Sequence, residues 1–142
     1  MSERKKILIT GAAGRVGTAL RKHLAGRYDL RLLVHRTPPA DTNPTDEIVT
    51  GDVTDLDAMT AAARGVDVIA HLAVSVAQSN LSEPQRTQLT LDVDVKGNYC
   101  LLEAARINRV GTFIFASTNH VTGLNEQDGI CSRPDMDVRP DS

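Results

Sequence analysis

An α/β fold with a doubly wound parallel sheet is what this sequence predicts, on three observations. Short apolar runs of strand length alternate with amphipathic stretches of helix length along most of the chain. The first apolar run leads straight into a glycine-spaced turn. No internal repeat or low-complexity block interrupts the alternation. With 142 residues the chain makes one domain, large enough for a real core.

The elements follow in order. Lys6–Thr10 is the first strand, because Ile7, Leu8 and Ile9 form the continuous apolar run of a strand buried on both faces. Val16–Leu24 is a helix whose apolar face carries Val16, Leu20 and Leu24. Leu30–His35 is the second strand, followed by a polar, proline-bearing loop from Thr37 to Pro44. Glu47–Thr50 is a short third strand, and Thr54 or Asp55 caps a helix over Leu56–Arg64. Asp67–Leu72 is the fourth strand. Residues 85–108 form a long helix carrying Leu89, Val93, Leu101, Leu102 and Ala105, interrupted at Gly97. Thr112–Ala116 is the fifth strand. From Thr122 to Ser142 the chain holds Gly123, Gly129, Pro134, Pro140 and four aspartates, with little apolar periodicity, and reads as a loop. The expected division is therefore a dinucleotide-binding domain over 1–121 and a tail over 122–142.

Composition narrows the function. Sixteen Lys and Arg against 18 Asp and Glu leave a net charge of −2, and aromatic residues are 3% of the chain, so neither a basic nucleic-acid surface nor a base-stacking platform is expected. The charged start, Met1-Ser2-Glu3-Arg4-Lys5-Lys6, has no apolar core behind it, and no run has the roughly 18 apolar residues of a membrane span. Cys100 and Cys131 lack metal-ligand spacing, so no metal site is expected, and unpaired thiols suit the cytoplasm.

The chemistry is concentrated in Thr10-Gly11-Ala12-Ala13-Gly14-Arg15-Val16-Gly17, a Gly-x-x-Gly-x-x-Gly run between strand and helix. In this context Gly11 permits the tight turn, Gly14 lets backbone approach a pyrophosphate, and Gly17 lets the helix pack close to the strand. Free N–H groups and the positive helix terminus then face the phosphates, with Ala13, Arg15 and Val16 beside them. At the end of the second strand, where an acidic residue would take the ribose 2′-hydroxyl of NAD, the chain has His35-Arg36 and no acid before Asp41. Arg36, with Arg15 as a second guanidinium, favours NADP over NAD.

Four motifs in register, namely the glycine run, Gly51-Asp52-Val53-Thr54-Asp55, His71-Leu72-Ala73 and Ser117-Thr118-Asn119-His120-Val121-Thr122-Gly123, resemble the extended short-chain dehydrogenase/reductases of the NAD-dependent epimerase/dehydratase superfamily. The segment from Phe115 to Gly123 is most similar to uronate and related sugar dehydrogenases. The resemblance implies a Rossmann-type fold in which Asp52 accepts from the adenine amino group, Val53 lies beside the ring, and Leu72 and Ala73 run along the cofactor. His71 is read as structural. Thr118, or Ser117 one register away, is the hydroxyl that orients the substrate oxygen. Ser75, Asn119 and His120 contact a sugar or uronate substrate. Two departures stand out. His35 replaces the Asp of uronate dehydrogenases, and Asp94 stands where many members have Asn. An ionised Asp94 is acceptor-only, and no role is assigned to it.

The resemblance also implies a Tyr-x-x-x-Lys acid–base pair. Tyr28 and Tyr99 are followed four residues later by Leu32 and Glu103, so the pair is absent. The family places it just after a segment like Arg139-Pro140-Asp141-Ser142. We therefore expect a truncated chain of five strands, without the C-terminal strands and substrate part. It should be nearly inactive, since such a pair contributes about 10²–10⁴-fold. The open edge beside Thr112–Ala116, or the 85–108 helix, is expected to make it a homo-oligomer. The resemblance supports hydride transfer to or from a sugar or uronic acid. A nucleotide-sugar epimerase or dehydratase, and a non-catalytic NAD(P)-binding sensor, are the alternative functions.

Overall fold

Five parallel strands in the order β3-β2-β1-β4-β5 form a single sheet in the computed structural model, which describes residues 4–36, 38–76 and 80–141. They are β1 (Lys6–Thr10), β2 (Asp29–Val34), β3 (Glu47–Thr50), β4 (Val68–His71) and β5 (Thr112–Phe115). The helices are α1 (Arg15–Leu24), α2 (Leu56–Ala62), α3 (Glu83–Thr90), α4 (Gly97–Asn108) and α5 (Gly123–Gln127). Register runs Ile7 with Leu30 and with Val68, and His71 with Phe115. Chain order runs outward from β1 to β3 and then reverses to β4 and β5. The crevice where such a sheet binds ligands is thus at the carboxyl ends of β1 and β4.

Alternation along the strands divides the core in two. Ile7, Ile9, Leu30 and Leu32 face α1 through Leu20 and Leu24, whereas Leu8, Leu33 and Ile69 face Met59, Leu101 and Ala104 of α2 and α4. Leu8, Ile9, Leu32, Met59, Ile69 and Leu101 are fully buried. Each such side chain contributes about 1.5–3 kcal/mol relative to exposure.

Several expectations need correction. Val16 does not join the apolar face of α1. It is 65% exposed, and the buried residues of that helix besides the partly packed Leu20 and Leu24 are Gly17 and Arg21. Asp55, not Thr54, caps α2, accepting from the Ala58 N–H at 3.0 Å. That helix ends at Ala62, and Arg31 Nη1 donates to the carbonyls of Ala62 (2.6 Å) and Arg64 (2.7 Å) at its end. The long helix begins at Glu83 behind a Ser82–Gln85 capping box, and its irregularity is a π-helical turn, Leu91–Lys96, rather than a break at Gly97. Gly97 is helical and is needed for packing: a Cβ there would lie 2.9 Å from Val53 Cγ2. Leu102, expected on the core face, is 52% exposed. The tail is not a bare loop. A 3-10 turn (Asn119–Thr122) and α5 precede a segment that folds back, with Arg139 N–H donating to the Val121 carbonyl at 2.9 Å. Met1 to Glu3, Thr37 and Ser142 lie outside the described residues.

Candidate cofactor cleft

The turn from β1 into α1 lies against the end of β4. Gly11 has φ +65°, and a Cβ there would fall 2.6 Å from the Leu72 carbonyl and 2.7 Å from the Ala73 nitrogen, so only glycine fits. Gly14 heads α1 with no side-chain cap, and its N–H donates to the Gly11 carbonyl at 3.0 Å. A Cβ on Gly17 would collide with the Gly11 carbonyl oxygen, which is why the helix packs so close. Thr10 ties the two strands together. Its Oγ1 accepts the N–H groups of Leu72 and Ala73, both at 3.1 Å, and lies 2.6 Å from His71 Nδ1. With two donors already on that oxygen, the Thr10 hydroxyl donates to Nδ1 and His71 carries its proton on Nε2. Burial holds its pKa below the ordinary histidine value, which favours the neutral ring.

Between these loops opens a cleft of about 690 Å³. Of the residues singled out in the sequence, Gly11, Ala13, Gly14, His35, Arg36, Asp52, Val53, Leu72, Ala73 and Ser75 line it. Asp52 Oδ1 accepts the Thr54 N–H and hydroxyl, each at 2.9 Å, while Oδ2 lies 3.4 Å from His35 Nε2. The Thr54 backbone N–H foremost, then the Thr54 hydroxyl, His35 and Lys96, hold this carboxyl below its usual range, so it is ionised at neutral pH. One oxygen shapes the turn and the other meets His35.

Other singled-out residues stand apart. Arg15 and Val16 are exposed on the first turn of α1, and neither they nor Gly17 form the cleft wall. Ser117, Thr118, Asn119 and His120 follow β5 at the same carboxyl edge but outside the lining. Thr118 Oγ1 accepts the His120 N–H at 3.3 Å, capping the 3-10 turn, and His120 Nδ1 lies 2.8 Å from Asp141 Oδ1. That contact holds the Asp141 carboxyl below its ordinary value. Among the described residues no group of three or more His, Cys, Asp or Glu is arranged to hold a metal.

Sequence reasoning missed three contributors. Asp94, in the π-helical turn, accepts from the Ser75 N–H (2.7 Å) and hydroxyl (2.6 Å), fixing the loop after β4. Its acceptor-only chemistry suits that pair, but the contact spans 19 residues and no local pattern marks it. Lys96 lines the cleft near Asp52. Arg21 is the third, 1% exposed, with Nε donating to the Ala12 carbonyl at 2.9 Å.

Comparison with known proteins agrees with this geometry. The NAD dependent epimerase/dehydratase family matches residues 7–140. The chain is 34% identical over 124 residues to uronate dehydrogenase of Pseudomonas putida, covering 87% of this chain and 44% of that protein. It is 34% identical over 116 residues to L-arabinose 1-dehydrogenase (NAD(P)(+)) of Haloferax volcanii, covering 82% and 42%. A crystal structure of a mutant uronate dehydrogenase from Agrobacterium tumefaciens, complexed with NAD, superposes with a TM-score of 0.73 at 32% identity, covering 97% of this chain and 49% of that one. The chain thus spans about half the length of the relatives it matches.

Proposed function

The chain belongs to the NAD dependent epimerase/dehydratase family, and from this premise we propose that it is the cofactor-binding portion of an NAD(P)-dependent dehydrogenase acting on a sugar or uronic acid. The observation that carries the reading is the fit of Gly11 against the Leu72–Ala73 backbone, which leaves the mouth between β1 and β4 open to a dinucleotide. In this reading the backbone of Gly11, Ala13 and Gly14 holds the pyrophosphate, with Arg15, Val16 and Gly17 completing the turn behind it. Asp52 accepts from adenine, Val53 supports the ring, and Leu72 and Ala73 border the rest of the cofactor. The bound nicotinamide would supply the hydride acceptor or donor. Thr118 orients the substrate oxygen, and Ser75, Asn119 and His120 hold substrate hydroxyl or carboxylate groups.

NADP is the preferred cofactor in this account. His35 and Arg36 line the cleft just past β2, and among the described residues Arg36 has no ion-pair partner. Without a Tyr-x-x-x-Lys pair in its sequence, this chain binds cofactor but turns over little. We place it in the cytoplasm, which suits an exposed, unpaired Cys131, and no described helix is long and apolar enough to cross a membrane. Half-exposed apolar side chains on the π-helical turn and α4, together with the β5 edge, support self-association.

Calorimetric titration of the chain with NADP and NAD, alongside Arg36→Ala, tests the cofactor reading. The expected result is NADP binding weakened roughly 10-fold or more by the substitution, as for loss of a charge-assisted phosphate contact. NAD binding should change little. NAD binding that is equal or tighter, and indifferent to Arg36→Ala, refutes the NADP preference.

A further inference from the structure

Among the described residues Arg21 is the most deeply buried Lys, Arg, Asp or Glu, at 1% exposure, and all three of its guanidinium nitrogens are engaged. Nε donates to the Ala12 carbonyl at 2.9 Å, Nη1 to the Asp41 carbonyl at 3.2 Å, and Nη2 to Asp41 Oδ1 at 2.7 Å. Lys22 Nζ lies 3.2 Å from the second Asp41 oxygen. An ion pair whose carboxylate is half-exposed is a weak device for stability alone. What an arginine adds is a rigid planar fork that holds two partners in one geometry.

The two partners belong to the two loops that meet at the cleft. Ala12 lies between Gly11 and Ala13 in the glycine turn, and all three line the cleft. Asp41 follows Arg36, which also lines it, by five residues. We infer that Arg21 and Asp41 form a clasp that joins Asp41 to the glycine turn at Ala12, and that this anchor sets the position from which Arg36 meets the adenosine 2′-phosphate. Arg21 and Asp41 are positioning residues and touch no ligand themselves. The inference rests on the dinucleotide reading above and adds to it the residues that set cofactor discrimination.

The test uses Asp41→Ala, whose side chain is half-exposed, so that the fold keeps its core. Asp41→Asn is measured beside it, because its amide oxygen still accepts from Arg21. NADP and NAD affinities are measured by calorimetry, and melting is followed by circular dichroism. Asp41→Ala is expected to weaken NADP about 3- to 10-fold and NAD less than about 2-fold, while Asp41→Asn stays near the unmodified chain. A purely structural role would instead lower both affinities together with the melting temperature. Unchanged NADP affinity, equal losses for the two cofactors, or an unmodified chain that binds NAD alone overturns the clasp. A folded, unmodified chain that binds neither cofactor overturns the dinucleotide reading beneath it.

Discussion

His71 ties its environment to pH. Burial lowers its pKa in the folded chain, whereas the unfolded chain takes up a proton near the ordinary value of about 6.5. Below that pH the unfolded state binds more protons, so stability is lost as pH falls, by at most about 1.4 kcal/mol per pH unit. Asp52 and Glu47, whose carboxyls are held low chiefly by the Thr54 N–H and by Arg31 respectively, lose their contributions only at lower pH, as they protonate. Thermal unfolding between pH 7.5 and 5.5 should therefore fall more steeply for the native sequence than for His71→Gln. Parallel slopes would contradict the neutral, buried assignment. At this scale the sequence was a partial guide. Gly11 and Gly17 were legible because the local turn dictates them, and Asp52 because it ends a strand. Arg21 and Asp94 were not, since a buried arginine and a helical aspartate look like solvated surface until the loops they hold are placed against them.

The stretch from α3 through α4 raises a question of surface. Leu91, Val95, Tyr99 and Leu102, spaced four, four and three residues apart, are 50%, 60%, 61% and 52% exposed. This spacing sets them along one side of the helix, and we propose this apolar strip as the association surface. Sedimentation velocity is expected to give a dimer or larger species that Tyr99→Glu shifts toward monomer. A native chain that stays monomeric at high concentration contradicts this and returns the strip to solvent. Strand positions were readable because continuous apolar runs have few other uses. β1 and β3 matched residue for residue, β2 shifted by one, β4 is shorter by one residue at each end, and β5 ends one residue earlier. The π-helical turn, which carries the Asp94 that meets Ser75, was not readable, since its extra residue per turn leaves no mark on periodicity.

For the molecule as a whole, the order β3-β2-β1-β4-β5 gathers the cleft-lining loops after β1, β2, β3 and β4 at the carboxyl edge of one sheet. The fold class followed from the alternation alone, but the split between cleft and flank did not. The residues after β5 reach the same edge without entering the cleft wall, and there His120 meets Asp141 of the returning segment. The chain's span of about half its relatives' length makes cofactor binding the property it can be asked for directly. The most direct measurement is two-dimensional amide NMR of the chain during titration with NADP. The account predicts shifts concentrated at Gly11 to Gly14, His35 and Arg36, Asp52 to Thr54, and Leu72 to Ser75, with the helix face at Val95 and Tyr99 unmoved. A folded spectrum with no shifts, or shifts lying away from the β1–β4 mouth, would contradict it.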